Sequence, residues 1–298
     1  MTKSTADSDA SKTAREDEVV DEATKLPTRL IYEIIRQDGE EELQRPFSSL
    51  IWSGFAAGIT IGFSLLGEAI FRTYLPDAPS SYLIENLGYT LGFLLVILGR
   101  MQLFTENTIT TVLPLLASPS IRVLGRVARL WLFVLAANIV GAFAIAALFA
   151  YTSAVPGELQ PAMQALSEHA VGMPAGESFM RAIPAGILIA AIVWMLPQAE
   201  QASFFVVMLF TWLIAAGDFA HIVAGSVEMA YLLLRGDLGV GAALFGFFFP
   251  VLFGNIVGGT AIFTVLVWGQ VKAEVPNDKV DTLTKGSYTK RSHTKGSK

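Results

Sequence analysis

Six apolar runs, each near or above the length that crosses the hydrocarbon core of a bilayer, decide what this chain can fold into. They fall at residues 50–72, 88–116, 130–151, 182–196, 202–234 and 243–270. Inside lipid every backbone amide must be satisfied within a helix or a closed barrel, and only helices use runs this long. The chain is therefore read as an all-α polytopic membrane protein, in keeping with a hydrophobic fraction of 53% and a charged fraction of only 16%.

The second and fifth runs are too long and too polar at their centres to be plain helices. The second holds Arg100, Gln102, Thr105, Glu106, Asn107 and Thr108, followed by Pro114; the fifth holds Asp218, His221 and Glu228. Ionisable groups at membrane depth are costly and face protein or an aqueous path. Gly217 and Gly225 bracket the acid and the histidine of the fifth run. Each of the two runs is expected to be two helical pieces joined by a break, and broken backbone at this depth has to line a cavity or lie inside protein.

The flanks orient the spans. Residues between the second and third runs include Arg122, Arg126 and Arg129, whereas residues 152–178 carry Glu158, Glu168 and Glu177 and no lysine or arginine. Basic short loops stay on the cytoplasmic side. Six spans then put both tails there: residues 1–46 as a cytoplasmic N-terminal tail, residues 47–271 as the membrane domain and residues 272–298 as a polar cytoplasmic tail. Leu30, Ile31, Ile34 and Ile35 recur at helical spacing, so the N-terminal tail should end in a short amphipathic helix, lying on the membrane or packed on the domain.

The membrane domain repeats itself. Ala137-Asn138-Ile139-Val140-Gly141 returns as Gly254-Asn255-Ile256-Val257-Gly258, and Gly99-Arg100 returns as Gly217-Asp218, at offsets of 117 and 118 residues. Two copies of a three-span unit are inverted in the membrane, an arrangement that sets broken helices and a transport site near the midplane. Gly54, Gly58 and Gly62, and Gly88 and Gly92, at four-residue intervals, suit close helix approach.

Other classes are excluded by what the sequence contains. It has no cysteine, and His169, His221 and His293 are far apart, which removes thiolate chemistry and a histidine metal cluster and implies no cofactor. A net charge of −5 without a basic stripe argues against nucleic acid. No nucleophile with a paired base and no phosphate loop is present, so an enzyme is not expected.

Taken together, Leu103-Phe104-Thr105 in a broken second span, Asn138-Ile139-Val140-Gly141, the Ala-Ile-x-x-Gly-Ile-Leu-Ile-x-x-x-Val-Trp-Met pattern from Ala182 to Met195, His221, and Gly254-Asn255-Ile256-Val257-Gly258-Gly259 resemble the formate/nitrite transporter family over about residues 47–270. Gln102 to Thr108 and His221 to Glu228 look most like its YfdC-type branch. The resemblance implies an aquaporin-like six-transmembrane fold with inverted three-helix repeats and broken helices two and five. It also implies a homopentamer in the plasma (inner) membrane, with one pore per protomer for a small monovalent anion or its weak acid.

Carried over by position, Leu103, Phe104 and Thr105 match the loop that narrows the pore, Phe93 and Ile214 its hydrophobic constrictions, His221 the central histidine and Asn255 the asparagine facing it. Tyr89, one turn before Phe93, is placed on the same path. Three departures stand out: Gly186 replaces an asparagine of span four, Ala220 replaces the glutamate before the histidine, and the vestibule lysine is missing, since no lysine lies between Lys25 and Lys272. The alternatives to an anion conduit are a facilitator of neutral small solutes and a non-conducting membrane scaffold or sensor. Arg100 and Asp218, at equivalent repeat positions and opposite in sign, are expected either to pair as a structural lock or to take separate partners such as Glu68, Glu106 or Glu228.

Overall fold

The computed structural model describes residues 26–274. The two expected polar tails fall mainly on residues 1–25 and 275–298, outside the described residues. An amphipathic helix, α1 (Thr28–Gln44), precedes the membrane domain, and Pro46 sets its separation from the next helix. Ile31, Tyr32 and Ile35 of α1 are buried against Ile109, Leu113, Val193 and Val271, so its apolar face packs on protein. Arg36, buried on the same helix, is bonded by Glu33 and Glu40.

Span one is α2 (Phe47–Thr60) continued by α3 (Gly62–Tyr74). A short α4 (Ser81–Glu85) leads to α5 (Thr90–Leu98), the first half of span two, and α6 (Phe104–Thr110) and α7 (Val112–Ala117) form the second half. Span three is the long α8 (Ile121–Tyr151). Its first turn is capped by Ser120, whose side chain accepts from Val123 N at 3.2 Å. The three arginines of the expected loop therefore lie on a helix that starts earlier than the apolar run.

After span three the chain forms α9 (Gln160–Val171), then α10 (Ala175–Met195) as span four. The broken fifth span is α11 (Ser203–Ala216) and α12 (Ile222–Arg235). Span six runs over Ala242–Val271 and contains two π-helical stretches, Ala242–Phe248 and Val257–Thr264, around α13 (Phe249–Ile256), before ending in α14 (Val265–Val271). Among the described residues five helices are long and apolar enough to cross a membrane, and the fifth span is the one split between α11 and α12.

The two halves pack alike. α2 lies on α8, as α10 lies on α13, and the first halves α5 and α11 pack together. At both helix pairs a glycine permits backbone contact: a Cβ on Gly58 would collide with the Asn138 carbonyl, and one on Gly186 with the Asn255 carbonyl. Gly186, a departure from the expected asparagine, thus has a steric reason. Large apolar side chains such as Trp52, Leu132, Phe205 and Leu266 remain exposed, as the outer surface of a membrane protein requires.

Candidate permeation site

Both breaks are built in the same way. At the end of α5 the amides of Arg100 and Met101 donate to Ile97 O (3.1 Å) and Val96 O (3.0 Å); at the end of α11 those of Asp218 and Phe219 donate to Ala215 O and Ile214 O, both at 2.9 Å. This pair of bonds is the Schellman closure of a helix, which needs a left-handed residue next. Arg100 (φ 51°) and Asp218 (φ 53°) fill that position, each preceded by a glycine that keeps ordinary helical φ. A side chain in this conformation costs on the order of 1 kcal/mol, so packing must hold it.

Two asparagines do so. Asn138 Oδ1 accepts from Phe104 N (3.0 Å), while its Nδ2 donates to Gly54 O (2.8 Å) and Gln102 O (2.9 Å). Asn255 Oδ1 accepts from Ile222 N (2.8 Å), and its Nδ2 donates to Ala182 O (2.8 Å) and Ala220 O (3.0 Å). Asn255, expected to face the histidine as a pore donor, has its whole amide committed to backbone instead. Its position beside His221 is kept, but its bonds go to the break.

His221 occupies the N-cap of α12 in extended backbone and is buried. Ala224 N donates to its Nδ1 at 3.2 Å, which leaves Nδ1 as an acceptor, assigns the ring proton to Nε2 and directs that N–H to Thr105 Oγ1, 2.8 Å away. Thr105 begins the second half of span two, so this one bond joins the two broken spans. Phe93 meets the imidazole edge to face at 4.9 Å between ring centres, and Tyr89 lies on Phe93 at 5.1 Å.

The other expected constriction residues are buried but arranged differently. Phe104 packs edge to face on Trp131 of α8, at 5.6 Å. Leu103 and Ile214 are fully enclosed in the core. Phe93, Thr105 and His221 are thus in direct contact, Tyr89 joins them through Phe93, and Phe104 turns to span three.

Above His221 opens a vestibule of about 590 Å³, lined among others by Glu68, Arg72, Tyr89, His169, Asp218 and Glu228. The expected Arg100–Asp218 lock is not formed. Asp218 bonds Arg181, and His169 Nε2 lies 2.9 Å from its Oδ1, while Arg100 is exposed beside Asp38 of α1. Asp218 lies on the vestibule lining and Arg100 beside α1, so the two equivalent positions face different surroundings and take different partners.

Three features carry no motif in the sequence. α9, within residues 152–178, packs on α3 and α12 beside the vestibule; its buried Met163 and Ser167, four residues apart, are the helical signal for it. Arg181, on α10, is the partner of Asp218. Glu42, on α1, accepts from Gln102 Nε2 (3.2 Å), Asn107 Nδ2 (3.1 Å) and Thr110 Oγ1 (2.6 Å), tying α1 to the break of span two. No group of three or more metal-ligating side chains occurs among the described residues.

Comparison with known proteins agrees with this architecture. The family model described as formate/nitrite transporter matches residues 29–269. The inner membrane protein YfdC of Escherichia coli (strain K12) is 44% identical over 257 residues, spanning 86% of this chain and 83% of that protein. The formate channel FocA of Haemophilus influenzae is 26% identical over 247 residues, spanning 72% of this chain and 84% of its own. Among solved structures, a pentameric formate channel with formate bound superposes with a TM-score of 0.64 at 21% identity, covering 76% of this chain and 98% of that one. An FNT family ion channel superposes with a TM-score of 0.68 at 18% identity, covering 83% and 99%. At these identities the structural likeness carries the fold, and the sequence match carries the family.

Proposed function

The chain belongs to the formate/nitrite transporter family, and on that premise we propose that it is a channel or secondary transporter for small monovalent anions or their weak acids, one pore per protomer of a homopentamer. The observation that carries this reading is the Thr105–His221 hydrogen bond, which sets a polar contact between two broken helices at the floor of a solvent-sized vestibule. A small anion leaving water must exchange its hydration for donors or be neutralised. The hydroxyl of Thr105, left free to donate because it accepts the His221 N–H, and the N-terminus of α12 supply a donor and a favourable dipole at one place. Phe93 beside them makes the narrow part apolar, as a dewetting gate requires.

Formate- or nitrite-like size for the solute is supported by the Haemophilus relative, named a formate channel, and by the solved neighbour described as pentameric with formate bound. Cytoplasmic termini and an inner-membrane location are supported by the arginines at the start of α8 and by the name of the Escherichia coli relative. That orientation makes the vestibule external. The Haemophilus relative is named a channel, and the family model that matches is described as a transporter.

The acidic vestibule lining favours a second reading within transport, in which the permeant is uncharged when it passes His221. Proteoliposome flux of formate, nitrite, acetate and a neutral solute, comparing the native protein with His221→Phe, tests both. Formate flux that falls about tenfold or more in the variant is expected for a permeation residue. Silence of the native protein toward every solute would leave the scaffold reading standing.

A further inference from the structure

The charge inventory of the vestibule leaves two acids over. Arg72 is bonded to Glu85 at 3.4 Å, and Arg181 is shared between Asp218 and Glu177. Arg235 is bonded to Asp237 at 3.4 Å. Residues 26–271 contain no lysine. Glu68 on α3 and Glu228 on α12 line the cavity at 6% and 8% exposure, and among the described residues neither has a hydrogen-bond or ion-pair partner. Tyr89 lines the same cavity at 7% exposure with its hydroxyl equally unpartnered. Three protic side chains, each more than nine-tenths buried, therefore turn into one space directly above Phe93 and His221.

Two carboxylates in one enclosed space disfavour each other's ionisation, and burial disfavours it further. The remaining ionisable groups facing them reinforce this or are committed elsewhere: Glu85 to Arg72, Asp218 to Arg181 and His169, while Asp77 stands on the lining with no cation bonded to it. Tyr82 donates its hydroxyl to Ala216 O at 3.2 Å. An anion meeting two ionised glutamates would be expelled. Meeting two carboxyl groups and a phenol, it finds three O–H donors.

His221 is poorly placed to give the anion a proton. Its Nδ1 caps α12, and its one N–H is already directed to Thr105. Deeper along the path Phe93 packs on the imidazole, and a neutral species crosses such a stretch far more cheaply than an ion.

We propose that Glu68 and Glu228, with Tyr89, form a weak-acid site in the vestibule, where the anion takes a proton from one of the two carboxyls before it passes His221 as the neutral acid. The step breaks one carboxyl O–H bond and forms one O–H bond on the anion; the glutamate left as carboxylate is reprotonated from the solution filling the vestibule. No electrons change hands, and one proton crosses with each anion. This rests on the transport reading above and specifies the form of the substrate and the groups that prepare it.

The test uses full-length protein in liposomes, with formate as the probe, an internal pH dye and an external pH series. Native protein should acidify the lumen in step with formate uptake, faster as external pH falls. Glu68→Gln with Glu228→Gln should lose about tenfold or more of that uptake near neutral pH and flatten its pH dependence. Unchanged uptake and pH dependence in the double variant overturn the proposal while leaving the transport reading intact. Native protein that carries no weak acid defeats the transport reading itself and this site with it. Methylammonium uptake that needs the two glutamates, with formate indifferent to them, makes the site one for cations and also overturns the proposal. If the double variant fails to elute as native protein does, Glu68→Asp with Glu228→Asp replaces it. That variant keeps both protons but draws them back by one methylene, so the pH midpoint of uptake must move, and an unmoved midpoint counts against the site.

Discussion

Asn138 and Asn255 make the same three hydrogen bonds in the two halves of the chain. Each accepts from the first helical amide after a break, Phe104 N or Ile222 N, and donates to one carbonyl of the break and one of a neighbouring helix. Each also sits where a glycine of a neighbouring helix touches its backbone, Gly58 for the first and Gly186 for the second. The inverted repeat is thus a repeat of one device: a left-handed residue ends a half-helix, and an asparagine of the following span holds the extended segment beyond it.

Asn138→Ala and Asn255→Ala should therefore be destabilising to a similar degree. Each leaves one amide and the carbonyl of the break unpaired in the core, while the helix carbonyl keeps its intrahelical bond, at about 1–3 kcal/mol for each group that finds no water. Thermal unfolding in detergent, followed by the loss of the monodisperse gel-filtration peak, should drop by several degrees in both. A fall in one variant and none in the other would show that the two clamps are not equivalent.

The glycine contacts make a sharper steric forecast. Gly58→Ala and Gly186→Ala both push a methyl group into carbonyl backbone, which side-chain rotation cannot relieve, and should cost about 1–3 kcal/mol or more. Gly125→Ala is the control, since nothing lies within 4 Å of a Cβ at that position. Expression and thermal stability of the three variants, compared side by side, should separate the control from the pair.

Arg181 and Asp218 should show coupling, and Arg100 and Asp218 should not. A double-mutant cycle on Arg181→Ala and Asp218→Asn is expected to return about 1 kcal/mol or less, because both side chains are about one-third exposed, at 35% and 29%. Asparagine is the right replacement because it tolerates the left-handed backbone of this position. A measurable coupling energy for Arg100→Ala with Asp218→Asn would contradict their separate placement, one beside α1 and the other on the vestibule.

The number of spans, their breaks and the equivalence of the two asparagine segments were legible because membrane burial writes long apolar runs and forces polar interruptions to repeat. The pairing of charges was not. Sequence symmetry made Arg100 and Asp218 look like partners, but an inverted repeat carries equivalent positions to opposite faces, and the real partner of Asp218 lies on span four with no motif to mark it. Asn255 was located by its motif and misjudged in role, since only coordinates reveal that its amide is spent on backbone. α9 was passed over because its apolar residues are too few to read as a span, although they suffice to cover the side of α12.

The clamp on span two from α1 makes a prediction about pH. Glu42 holds Gln102, Asn107 and Thr110, and burial pushes its carboxyl above the usual carboxylate range, with the bonds from Thr110 and Gln102 pulling back part of that rise. A group whose folded value is raised favours the folded arrangement while protonated, and that contribution is lost as pH rises through the folded value. Asp38 is also raised, by burial against the pull of Arg100, and has the same sign. Glu33, which burial raises but hydrogen bonds from Arg36 and Gln37 hold below its usual value, has the opposite sign. Residues 28–44 should therefore be more protected from hydrogen exchange at about pH 5 than at about pH 8, after correction for intrinsic exchange rates. Glu42→Gln, which stays neutral throughout, should remove most of the difference, and adding Asp38→Asn should remove the remainder. Protection of α1 that instead grows toward alkaline pH would mean that Glu42 holds span two as a carboxylate, with the three donors outweighing its burial.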